Sequence, residues 1–183
     1  MKTILASSSP RRFELLSTII KDFEVVKPEC EENNLDTPIK TVKHLASIKA
    51  DAIVDNYDLL ISADTIVVYH DTILGKPKDA DDAIKMLSAL RGVTHKVYTG
   101  VCIKYKEKGR IKKDVFAVCS RVKLKDMTTD EIRGYVNTGS PLDKAGSYGI
   151  QDGIVQSYRG SYTNIVGLPV EKLTKKLKRH RLI

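Results

Sequence analysis

No stretch of this 183-residue chain stays apolar for the roughly 20 residues a membrane span needs. The apolar opening breaks off after Ala6 at the polar run Ser7 to Arg12, so the chain is not expected to open with a secretory signal. Cysteine is scarce. Cys30, Cys102 and Cys119 are odd in number and far apart, which argues against a disulfide framework or a CxxC metal site and points to a reducing, cytoplasmic setting. Each is expected to be a small buried hydrophobe. The histidines, His44, His70, His95 and His180, have no ligand-spaced partners, which argues against a metalloprotease or a nucleophile-triad hydrolase. There is no internal repeat, no low-complexity run and no linker long enough to separate domains. With 42% hydrophobic and 30% charged residues, the chain can build a core and reads as one domain over residues 1–183.

Acids are absent from the last dozen residues. Residues 172–183 hold six Lys/Arg, so removing them from the formal net charge of +8 leaves +2 for residues 1–171. Leu173 and Leu177 lie four apart, which predicts a last helix, about residues 169–180, with one apolar edge and a solvated cationic face. No recognition-helix pattern and no interleaving of aromatic with basic residues is present, so nucleic acid is not expected as a partner.

The elements alternate. Met1 to Ala6 reads as a strand. Ser9 and Pro10 read as the cap and first position of a helix whose apolar face is Phe13, Leu15, Leu16, Ile19 and Ile20. Glu24 to Lys27 reads as a short strand, and Thr37-Pro38 opens a long helix. Leu59 to Tyr69 is an apolar strand region, and Asp79 to Leu90 a helix. His95 to Tyr105 and Ile111 to Leu124 are strands joined near Lys108-Gly109, and Thr128 with Glu131 forms a capping box. Ile154 to Tyr158 and Tyr162 to Val166 read as a hairpin around Arg159-Gly160. Strands alternating with helices, with some hairpins, predict an α/β protein with a mixed sheet.

Several residues break the apolar pattern. Arg11 and Arg12 occupy a helix first turn, where cations oppose the partial positive charge of the helix end. Serine hydroxyls, free backbone N–H groups and two guanidinium groups at one strand-to-helix turn suit an anion, phosphate above all. Asp64 lies in the middle of an apolar strand run, where an unpartnered carboxylate is costly; it is a candidate base or metal ligand. Lys76 sits between Gly75 and Pro77 on a loop that suits presenting a cation. Lys49 falls in a mostly apolar helical stretch, and Glu29, Glu31 and Glu32 make an acidic loop that could supply a ligand for a hard cation.

Taken in order, these segments resemble one family nearly end to end. Leu5-Ala6-Ser7-Ser8-Ser9-Pro10-Arg11-Arg12, Leu45-Ala46-Ser47-Ile48-Lys49-Ala50, Ala63-Asp64-Thr65, Gly75-Lys76-Pro77 and Tyr98-Thr99-Gly100-Val101 are followed by Pro141 through Gln151 and by Asn164-Ile165-Val166-Gly167-Leu168-Pro169. The chain resembles the Maf family of nucleoside triphosphate pyrophosphatases, once described as septum-formation inhibitors. The resemblance implies a fold similar to that of inosine triphosphate pyrophosphatases: an elongated mixed sheet flanked by helices, two lobes and a central cleft.

It also implies roles. Asp64 matches the family's proton acceptor. Ser7, Ser9, Arg12, Lys49 and Lys76 match motif positions lining the cleft, where they would hold the triphosphate. Glu32, with Glu31 beside it as the other candidate, matches the acid that works with Asp64 at a divalent cation, Mg²⁺ or Mn²⁺. Arg11, Thr65 and Gln151 fall where the subfamilies differ, and the combination resembles the branch hydrolysing dTTP and UTP to the monophosphate and pyrophosphate. The alternatives are a pyrophosphatase for 7-methyl-GTP or for many nucleotides, and a non-enzymatic regulator binding nucleic acid or a division partner. The family further implies a homodimer.

Overall fold

In the computed structural model, which describes residues 1–183, the organising element is one long central strand. Strand β3 spans Leu59–Tyr69, and all but Thr65 and Tyr69 of its eleven residues are buried. Burial on both faces explains why it reads as a nearly unbroken apolar run. On one side it pairs in parallel with β1 (Thr3–Ala6), which in turn pairs in parallel with β2 (Glu24–Val26). On the other side it pairs antiparallel with β5 (Thr94–Glu107) over ten residues. β5 continues into β6 (Arg110–Leu124), and β6 pairs with β7 (Val155–Arg159). β4 (Thr72–Leu74) folds back on the end of β3 through a turn in which His70 and Asp71 both take positive φ. The seven strands make one mixed sheet in the order β2-β1-β3-β5-β6-β7, with β4 beside β3.

Helices cover the two ends of this sheet differently. α1 (Pro10–Ser17) and α6 (Val170–Arg179) share a core with Leu5, Leu59, Ile61, Val101 and Ile103 on one face. α2 (Pro38–Asp51) covers the opposite face over Ile4, Ala6, Leu60 and Cys102. Beyond the middle of β3, α3 (Ala80–Leu90) and α4 (Thr129–Asn137) pack with Val67, Val97, Val122 and Leu124. Asp64 lies where one set of cores gives way to the other, at the floor of the groove between them. The fold is therefore the α/β, two-lobed mixed sheet expected.

Local chemistry explains most element ends. Ser9, Thr37, Asp79 and Thr128 cap their helices with side-chain oxygens, and Thr128 and Glu131 form the reciprocal capping box. Three sequence expectations need correction. The first helix ends at Ser17, so Ile19 and Ile20 lie beyond it, and Phe13 is 47% exposed; its apolar edge is narrower than the spacing suggested. Residues 162–166 form a short helix, α5 (Tyr162–Val166), and not the second strand of a hairpin. Ser161 caps it by accepting from the Asn164 N–H, and Gly160 and Gly167 take positive φ on either side. Lastly, of the three cysteines only Cys102 is buried; Cys30 is half-buried and Cys119 exposed.

Candidate active site

A cleft of about 700 Å³ runs between the two ends of the sheet, lined by Ser7, Ser9, Arg11, Arg12, Glu32, Lys49, Asp64, Thr65, Lys76 and Gln151, whereas Glu29 and Glu31 of the acidic loop stay outside it. That volume lies within the range of small-molecule sites. β1 supplies one wall: its last pairing, Ala6 with Ser62, delivers Ser7 to Ser9 and the start of α1 beside Asp64.

Gly100 determines how closely α2 approaches from the other face. It pairs with Asp64 across β3 and β5. A Cβ added there would lie 2.1 Å from the Val42 carbonyl oxygen, so only glycine admits the helix at this distance. Ser62 Oγ donates to the Ala46 carbonyl at 2.5 Å and fixes the helix register. Two turns along α2 from Val42, Lys49 Nζ reaches Asp64 Oδ1 at 2.5 Å and Glu32 Oε1 at 2.9 Å. One ammonium therefore bridges two carboxylates. Asp64 is 7% exposed, so Lys49 supplies the partner that a buried carboxylate requires. Glu32, and not its neighbour Glu31, makes the contact.

Arg12 is held from three sides. Its Nε donates to the Gly167 carbonyl at 2.9 Å, Nη1 to Ser7 Oγ at 3.3 Å and Nη2 to Thr65 Oγ1 at 3.1 Å. Burial pulls its pKa down, and the charge of Asp64 pulls it back up. Three of its five N–H groups are used, which leaves two for a ligand. Ser7 Oγ also accepts from the Ser9 N–H at 3.2 Å, so its own proton remains to donate. Ser9 Oγ accepts from the Arg12 N–H at 3.5 Å. Behind Thr65 the network runs inward: Thr65 Oγ1 and Thr99 Oγ1 are 2.9 Å apart, and Thr99 Oγ1 donates to the Asn164 carbonyl at 2.9 Å. The Asn164 amide in turn donates to the Val97 carbonyl and to Ser120 Oγ.

Arg11 spans the groove. Its Nη1 pairs with Asp143 Oδ2 at 2.9 Å, and Asp143 also pairs with Lys144 at 2.9 Å. Burial would raise the Asp143 carboxyl, but hydrogen bonds from Lys144 and Arg11 outweigh it and hold the pKa below the ordinary value. Gln151 stands exposed on a single turn of 3₁₀ helix, Ile150–Asp152. That turn is anchored from behind: Tyr135 Oη and Ser140 Oγ both donate to Asp152 Oδ2, at 2.5 and 2.9 Å. Lys76 stands exposed with no acid within 4 Å; its loop is tied to the Gln151 loop by the Gly146 N–H on the Gly75 carbonyl. Sequence reasoning missed Lys27 and Asn34, which also line the cleft. Lys27 precedes Pro28 as Lys76 precedes Pro77, a repeated signal that could have found it. The Thr99–Asn164 support was also missed.

The Maf-like protein family model matches residues 2–180. The chain belongs to this family. A dTTP/UTP pyrophosphatase from Clostridium perfringens (strain 13 / Type A) is 42% identical over 189 residues, covering 98% of this chain and 97% of the relative. One from Bacillus cytotoxicus is 46% identical, with 97% and 94% covered, and one from Thermosipho melanesiensis is 42% identical with both chains fully covered. No helix of this Maf-like protein is long and apolar enough to cross a membrane.

Proposed function

We propose that this protein hydrolyses nucleoside triphosphates, dTTP and UTP first among them, to the monophosphate and pyrophosphate, in the cytoplasm and as a homodimer. The observation that carries the reading is the pairing of a buried mid-strand carboxylate, Asp64, with Lys49 at the floor of a cleft whose walls present Arg12, Lys76 and a helix start. A triphosphate needs that distribution of cations, because its displacement spreads negative charge over phosphoryl oxygens and leaves the protein to position and neutralise. In this reading Ser7, Ser9, Arg12, Lys49 and Lys76 hold the phosphates. Asp64 takes the proton from the attacking water. Gln151 meets the imide edge of uracil or thymine with the donor and acceptor of one amide, and a base with the reversed pattern leaves those groups unpaired. Thr65 acts on the site through Arg12, and Arg11, tied to Asp143, closes the groove over the base.

The residues fit a hard divalent cation. Asp64 and Glu32 turn carboxylate oxygens toward one shared point of positive charge, and no third carboxylate, His or Cys joins them. Two carboxylates completed by phosphate oxygens and water is the donor set Mg²⁺ favours. Bound between them once Lys49 turns its ammonium to the phosphates, the ion would neutralise phosphate charge and acidify water.

The test is pyrophosphate release from dTTP, UTP, CTP, dATP, GTP and 7-methyl-GTP, with Mg²⁺ or Mn²⁺ and with EDTA. Release favouring dTTP and UTP, abolished by EDTA, is expected. Preference for 7-methyl-GTP would overturn the base reading, and absence of release from all six would overturn the activity. Asp64→Asn is expected to keep its melting temperature within a few degrees and to lose about 10²–10⁴-fold in turnover.

A further inference from the structure

The basic surplus is not confined to the C-terminal helix. Residues 104–113 and 172–181 together hold twelve of the 31 Lys/Arg and one of the 23 Asp/Glu. Those twenty residues carry +11, and the remaining 163 carry −3. The first segment is the tip of the β5–β6 hairpin and the second is α6 with its C-terminal extension, so nothing in the sequence joins them. The fold does. Tyr105 Oη and His180 Nδ1 are 3.0 Å apart, and His180 Nε2 lies 2.8 Å from Asp114 Oδ2. Lys176 Nζ reaches the same carboxylate at 2.9 Å, and Lys172 and Lys176 lie over the Phe116 ring. Strand alternation puts Arg110 and Lys112 on the Tyr105 and Asp114 face, the one α6 covers.

Few of these charges are neutralised. Lys104 and Lys113 share Asp51, and Lys176 has Asp114. The other nine have no acid within 4 Å: Lys106, Lys108, Arg110 and Lys112 on the hairpin, and Lys172, Lys175, Lys178, Arg179 and Arg181 on the C-terminal segment. The surface is also remote from the cleft. The turn at Lys108 is eight residues along β5 from Gly100, the partner of Asp64, or roughly 26 Å at the rise of a strand. It is too far away to hold the phosphates of a nucleotide seated there.

We infer that this joint surface binds the phosphate backbone of duplex nucleic acid without reading sequence. A broad cluster of unpaired cations suits a ligand of repeating negative charge. A membrane surface fits less well, because Leu173 and Leu177 of α6 are fully buried and the helix has no apolar face to insert. A single strand fits less well, because Tyr105 and Phe116 are buried and offer no stacking platform. The inference goes beyond the pyrophosphatase reading and does not depend on it.

The experiment is fluorescence anisotropy of a labelled mixed-sequence DNA duplex of about 24 base pairs with the full-length protein, between about 50 and 200 mM salt. With about five phosphate contacts, log Kd should rise with log salt at a slope of about 4–5. Lys108→Gln/Arg110→Gln/Lys112→Gln should weaken binding at least about tenfold at low salt and cut the slope by about 2–3. Lys40→Gln/Lys85→Gln/Arg133→Gln, which removes equal charge from exposed sites elsewhere, should change affinity less than about threefold. If the hairpin variant fails to fold, Lys178→Gln/Arg179→Gln/Arg181→Gln must show the same loss. No binding at the lowest salt, equal loss in the hairpin and control variants, or tighter binding to phosphatidylserine vesicles or to a single strand than to the duplex would overturn the inference. Because no nucleotide is turned over, failure here says nothing of the pyrophosphatase, and failure of the pyrophosphatase says nothing here.

Discussion

Arg12 does not choose its own position; three acceptors from separate parts of the chain choose it, and one of them, Thr65, is itself held by Thr99. Thr99→Val keeps the shape of the side chain and removes the hydroxyl. Thr65 then loses its inner partner and the Asn164 carbonyl its donor. Since one hydrogen bond contributes about 1 kcal/mol, KM for the triphosphate is expected to rise about fivefold with kcat nearly unchanged, measured by steady-state pyrophosphate release. Legibility at this scale followed physical cost. Asp64 and Lys49 stand out in the sequence because charge among apolar neighbours is expensive without a partner. Thr99 and Asn164 are silent, because a threonine in a strand and an asparagine near a turn are ordinary. That Lys49 is shared by Asp64 and Glu32 depends on the path of the acidic loop, which no local pattern specifies.

Among the elements, α2 has the most exacting seat. Gly100→Ala would place a methyl carbon against the Val42 backbone, which cannot swing aside as a side chain would. The helix must shift, taking Lys49 from Asp64. The expected outcome is a loss of about 3 kcal/mol in urea unfolding together with a fall in turnover larger than stability explains. Element type was readable where caps and period agreed, as at Thr37-Pro38 and in the Thr128–Glu131 box. It failed at residues 162–166, where Tyr, Thr, Ile and Val favour a strand by composition. There the Ser161 cap and the inward hydrogen bonds of Asn164 overrode propensity. The long hairpin was readable too, and Lys108 and Gly109, both at positive φ, form its turn.

For the molecule as a whole, acid sensitivity sets in above the carboxylate range, at one histidine. His95 is buried beside Tyr148, its Nε2 2.7 Å from Tyr148 Oη, and burial pushes its pKa down to about 4. As pH falls below about 6.5, the unfolded chain takes a proton at this imidazole that the folded chain refuses until about pH 4. Stability is therefore complete above that window and falls through it by about 1.4 kcal/mol per pH unit, on the order of 3 kcal/mol in all. His95→Gln should flatten the slope between pH 7 and 5, above the range where most carboxylates titrate, in urea unfolding measured at each pH. The net charge of the whole was legible in the sequence, but its gathering at one end was not, since it needs α6 folded onto a hairpin some sixty residues earlier.

The bond from Arg12 to the Gly167 carbonyl joins residues 155 positions apart, and the pair of Arg11 with Asp143 spans 132. A ribosome delivers Arg12 long before Gly167. The β5–β6 hairpin closes a short loop and can pair as soon as it emerges, whereas the cleft waits for segments more than a hundred residues apart to meet. Until Gly167 emerges, the nascent chain carries its carboxylates and cations without the frame that makes them a site. Competence therefore waits on the segment around Gly167, however early Arg12 is made.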